Sequence, residues 1–97
     1  MNSEREFNKV LQEFLESSEK LLDAAQLCKD DPIKQDMIAF IQPKFLEMCG
    51  RSEGVKLMVE KSFYESRDFI LQEMVEITKL NIEISDQIKN KLGKLEI

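Results

Sequence analysis

VKLMVEKSFYESRDFILQEMVEITKLNIEISDQIKNKL, running from Val55 to Leu92, is the stretch whose reading decides the fold. It contains neither Gly nor Pro, and apolar residues recur at helical spacing along all of it. The spacing predicts one very long helix, roughly 57 Å at ~1.5 Å rise per residue. At 100° per residue, Val55, Val59, Phe63, Phe69, Ile70, Met74, Ile77, Leu80, Ile84, Ile88, Leu92 and Leu95 form one broad stripe facing a core. Leu57, Tyr64, Leu71, Val75 and Ile82 fall on the opposite side, with the spacing of a coiled-coil seam. Lys61, Asp68, Thr78, Ser85 and Lys89 interrupt that seam and make it short. Scattered apolar residues on a wet face are common, but regular spacing favours a second contact surface.

Upstream of this stretch the helical signals are sharp. Ser3 and Glu6 read as a capping box, followed by a stripe of Phe7, Val10, Leu11, Phe14, Leu15, Leu21, Leu22, Ala25 and Cys28. That first helix is expected to end near Lys29. Asp31 then serves as N-cap with Pro32 at the first helical position, where its missing donor is not needed. A second helix over Pro32 to Cys49 is apolar on half its circumference and is expected to be the most buried element. Pro43 should kink it or break it in two. Gly50 suits a left-handed C-terminal cap, and residues 51–54 read as the connection to the long helix.

The expected fold is all-α: an antiparallel three-helix bundle with a long C-terminal helix, a single domain over residues 1–97. Helices of about 40 and 27 Å cannot cover one of roughly 60 Å, so the last turns should overhang or meet another molecule. The alternative is a fold-back. Leu80 to Ile84 alternates like a strand, and Ser85 can start a fourth short helix.

Composition narrows the function classes. Nineteen acidic against fourteen basic residues give a net charge of −5, the wrong sign for phosphate attraction, so nucleic acid is not an expected partner. Lys89, Lys91 and Lys94 near the C-terminus complement a helix's carbonyl end. No stretch is apolar enough for a membrane span and the first six residues are polar, so a soluble cytoplasmic protein is expected. Cys28 and Cys49 fall at opposite poles of the predicted hairpin, too far apart for a disulfide. Both read as free thiols in a reducing compartment.

With no histidine in the chain, Ser/His and Cys/His catalysis is excluded. There is no Gly-rich phosphate loop, no C-x-x-C and no Glu-x-x-His di-metal motif. Glu13, Glu16 and Glu19, and separately Glu73 and Glu76, read as solvated surface rather than metal ligands. No cofactor, metal or small-molecule substrate is expected. Glu73 stands out within the main apolar stripe of the long helix, where a buried carboxylate needs a counter-charge. It should either reach water or form an ion pair that fixes a partner's register. Met37, Met48, Met58 and Met74 fall on predicted buried faces, where Met fills cores and also lines adaptable grooves.

These observations imply a nonenzymatic protein-interaction module. Its expected role is assembly adaptor or chaperone, binding an apolar helix of a partner or a second copy through Leu57, Tyr64, Leu71, Glu73, Val75 and Ile82. In outline this is similar to bacterial export chaperones and small assembly subunits, a likeness of architecture alone. The other class is a small acidic inhibitor, an immunity protein, antitoxin or blocker of a basic site, which would act through the acidic first helix with steep salt dependence.

Overall fold

A computed structural model describes residues 2–62 and 65–93. Its elements are α1 (Asn2–Gln26), α2 (Pro32–Met37), a 3-10 turn (Ala39–Ile41), α3 (Gln42–Ser62) and α4 (Arg67–Gly93). The protein is an all-α bundle with a long C-terminal helix, and no strand occurs among the described residues.

The junction after α1 forms as its sequence dictates. The last turn tightens through bonds from Leu27 N to Ala24 O (3.1 Å) and from Cys28 N to Ala25 O (3.2 Å). Asp30 takes the left-handed conformation at φ 61°, which Asp tolerates better than most residues. Asp31 then caps α2, its side chain accepting from Ile33 N at 3.1 Å and Lys34 N at 3.2 Å, with Pro32 just inside. The helix α1 is described from Asn2, and the expected cap at Ser3 rests on a side chain that lies outside what is described.

The predicted second helix is broken, as its proline requires. The break lies at Ile38–Ile41, and Pro43 becomes the second residue of α3, a first-turn position where it costs no hydrogen bond. Three expectations are overturned downstream. Gly50 and Gly54 are interior residues of α3, not a cap and a loop. The long helix is not continuous: α3 ends at Ser62, Glu65 and Ser66 form a turn, and α4 starts at Arg67. The hairpin bend is thus displaced by about three helical turns, to a place with neither Gly nor Pro. Packing outweighs local propensity here, because a bend at Glu65–Ser66 keeps residues 50–54 helical and sets Arg51 of α3 against Glu73 of α4.

With α1, α3 and α4 at 25, 21 and 27 residues, no helix is left overhanging. The fold-back alternative is also absent, since α4 runs unbroken through Leu80–Ile84 and Ser85.

Side-chain pairs fix the topology. Lys44 with Glu83 and Arg51 with Glu73 make α3 antiparallel to α4; Ser17 with Asn81 and Lys20 with Asp86 make α1 parallel to it. The up-down-up course expected of the bundle is therefore retained. The most buried element is α4, through Ile70, Met74, Ile77, Asn81, Ile84, Ser85, Ile88 and Leu92. The second predicted helix is not: α2 has no buried residue. Ala24, Cys28, Ile38, Ile41, Ile84, Ile88 and Leu92 form the core cluster, with Leu21, Met37 and Met48 against it. Both cysteines are free thiols.

The bundle is elongated, with principal extents of 49 × 23 × 17 Å. Its radius of gyration is 15.4 Å, against about 12.5 Å for a compact domain of this size. Its accessible surface is 7018 Å², against about 5,700 Å².

Neither Gly50 nor Gly54 has a positive φ, and an added Cβ meets nothing within 4 Å at either. Gly50→Ala and Gly54→Ala should therefore each stabilise the fold by about 0.5–1 kcal/mol, a rise of several degrees in Tm by circular dichroism. A loop at 50–54 requiring a left-handed glycine would give a loss instead.

Candidate functional site

Helices α1 and α3 each pack along α4 and hardly on each other. Between them lies a groove of about 510 Å³. Phe14, Ser18, Leu21, Leu22 and Ala25 form its α1 wall, and Phe45, Met48 and Ser52 its α3 wall. Ile77, Asn81, Ile84 and Ile88 of α4 are the floor, while Cys28, Ile38 and Ile41 close one end. The i, i+3, i+4, i+7 periodicity of each helix puts these residues in line. Leu22, at 64% exposed, and Phe45, at 42%, stand in water on facing rims. Unlike scattered exposed side chains, they border a continuous apolar channel.

Charges hold the walls to the floor from outside. Arg51 Nη1 donates to Glu73 Oε2 at 2.7 Å, and its Nε reaches Glu47 Oε1 at 3.4 Å. The bond to Glu73 holds the Arg51 guanidinium above its ordinary pKa, against the opposing effect of burial. Lys44 donates to Glu83 on the same flank, and Lys20 pairs with Asp86 at 3.3 Å on the α1 flank. The exposed Lys44–Glu83 and Lys20–Asp86 pairs each contribute little to stability. Their effect is to select the register of α1 and α3 on α4.

The residues expected to form a seam are dispersed. Leu57 projects from α3 into solvent. Glu73 is only 18% exposed in its side chain, and its ion pair is made within the chain, where it registers the α3–α4 hairpin. Leu71 and Val75 line a shallow hollow with Val10 of α1, while Ile82 borders another with Ser17, Lys20 and Thr78. These three share the crease between α1 and α4. Tyr64 lies outside the described residues. Of the methionines, Met74 is buried, Met48 lines the groove and Met58 is exposed.

The groove itself was missed because Phe14, Leu21, Phe45 and Met48 read as ordinary core. One signal was present: Ser17 and Ser18 interrupt the apolar stripe of α1, and Asn81 interrupts the run of isoleucines in α4. The structure brings these polar residues together in its interior.

Among the described residues, no group of three His, Cys, Asp or Glu side chains can hold a metal ion, and no helix is long and apolar enough to cross a membrane. Comparison with known protein families, curated proteins and solved structures yields no significant match. The functional reading therefore rests on geometry.

Leu22→Asp and Phe45→Asp should each leave helicity and Tm nearly unchanged, because both side chains are already exposed. The two together should reduce binding of the dye anilinonaphthalene sulfonate several-fold. Ile84→Asp, at a position with 0% exposure, should unfold the chain. Undiminished dye fluorescence in the double variant would place the main apolar surface elsewhere.

Proposed function

We propose that this chain is a nonenzymatic interaction module whose groove receives an apolar helix of a partner protein, in the role of assembly adaptor or chaperone. One observation carries the reading: three helices enclose an apolar channel on three sides and leave the fourth open between Leu22 and Phe45. A fourth helix laid there would complete a four-helix arrangement around a shared core. Along its α1 wall the groove runs from Phe14 to Ala25, about 16 Å at ~1.5 Å per residue, or three helical turns. That length accepts anchors at i, i+3 or i+4, and i+7. Covering Leu22 and Phe45 would contribute up to about 1.5–3 kcal/mol each. Met48 in the wall is unbranched and accommodates differently shaped occupants. The free thiols Cys28 and Cys49 support a reducing compartment such as the cytoplasm.

Photocrosslinking in the producing cell tests this reading, with benzoylphenylalanine placed in turn at Phe45, Leu57 and Ile82. Phe45 is expected to capture a helical segment of another protein. That segment, synthesised as a peptide, should bind with an affinity that changes by less than about threefold between low and high salt, as apolar contact requires. Capture confined to Leu57 or Ile82 would overturn the groove assignment. Steep salt dependence would favour an acidic blocker of a basic site.

A further inference from the structure

The two walls of the groove belong to helices joined by one short connection, and that connection crosses the groove at one pole. After α1 ends at Gln26, α2 and the 3-10 turn carry the chain over to Gln42 at the start of α3. The crossing lies on the groove's own side of α4. Ile38 and Ile41, 8% and 7% exposed, line the groove and belong to one core cluster with Cys28 of α1 and Ile88 of α4. Gln35 Nε2 ties the crossing to the end of α1 by donating to Cys28 O at 3.1 Å. At the opposite pole the turn at Glu65–Ser66 joins α3 to α4 and not to α1, so no described segment connects the walls there. A helix with its side chains is about 10 Å across and cannot pass through a backbone crossing already seated on the floor.

We propose that the occupant of the groove is the end of a helix, which abuts Ile38 and Ile41 while the rest of that helix leaves at the pole of Phe14 and Ser52. This rests on the helix-binding reading given above and narrows it: the partner's apolar anchors lie in the terminal turns of its helix, next to a chain terminus or a turn. The open fourth side gives water access to the backbone groups left unpaired at that helix end. The occupant is a different protein, not a second copy. No long helix of the described chain exposes large apolar side chains at i, i+3 or i+4, and i+7: Leu15 and Leu22 of α1 are separated by Ser18 and Glu19, and Val75 and Ile82 of α4 by Thr78 and Lys79. Each copy also carries a net charge of −5, which opposes self-association.

The test uses the full chain and a synthetic amphipathic helical peptide of about fourteen residues with Leu at i, i+3, i+7 and i+10. Three longer versions add two turns of neutral Gln-Ala helix at the N-terminus, at the C-terminus or at both ends. Binding is read by fluorescence anisotropy, and its loss in the Leu22→Asp, Phe45→Asp double variant assigns the peptide to the groove. At least one singly extended peptide is expected to bind within about threefold of the parent, its extension leaving by the open pole. The doubly extended peptide is expected to bind about tenfold more weakly, because in either direction one extension meets the crossing and lifts an anchor from its place. Equal affinity for the doubly extended peptide would show a helix running through, and would overturn the helix-end proposal while the groove reading stands. A tenfold loss with each single extension would close both poles and overturn it too. Should no peptide bind, or should binding survive in the double variant, the groove reading itself fails. A dimer in sedimentation that Phe45→Asp dissociates would make the occupant a second copy and overturn the choice of a different protein.

Discussion

Ile70, Ile77, Ile84 and Ser85 are sealed from water because α1 and α3 close on α4 from two flanks at once. The rest of the structure depends on that arrangement. One central helix supplies the inner face for both neighbours, and the described residues form only two other long helices. Each neighbour reaches α4 with its own stripe, and α1 and α3 hardly touch each other. The consequence is an open third side. The elongated shape and large accessible surface accompany this arrangement.

Much of the fold was legible in the residues. The stripe of α1, the Asp31–Pro32 junction and the interruption near Pro43 each rest on local chemistry that tertiary contacts do not change. The up-down-up course followed from the order of those signals. The second bend was not legible, since Glu65 and Ser66 carry no turn signature while Gly50 and Gly54 do. Glycine permits a turn without requiring one. In α3 the helix continues through both, with Arg51 tied to Glu47 within it and to Glu73 across the hairpin. Reading one continuous helix then projected Leu57 onto the same seam as Leu71, Val75 and Ile82, although they lie on different helices.

The candidate site was legible only in its chemistry. An apolar contact surface was expected on Leu57, Leu71, Val75 and Ile82, whereas the apolar groove is lined by other residues. Its position was not legible, because Phe14, Phe45 and Met48 obey the same periodicity whether they meet another wall or face an opening. Polar interruptions were the better guide. Ser17, Ser18 and Asn81 break otherwise apolar runs, and such breaks persist where a hydrogen bond needs them.

The sequence separation of the contacts sets how the groove is assembled. The Arg51–Glu73 bridge spans 22 residues, whereas the Asn81–Ser17 bond spans 64. Closing the longer loop costs about 1 kcal/mol more chain entropy, and α1 is joined to the hairpin at only one end, through α2. The α3–α4 hairpin is thus the local unit, and α1 is the element that docks on it from a distance. Since α1 is one of the groove's two walls, the groove and the long-range contacts between α1 and α4 come into existence together.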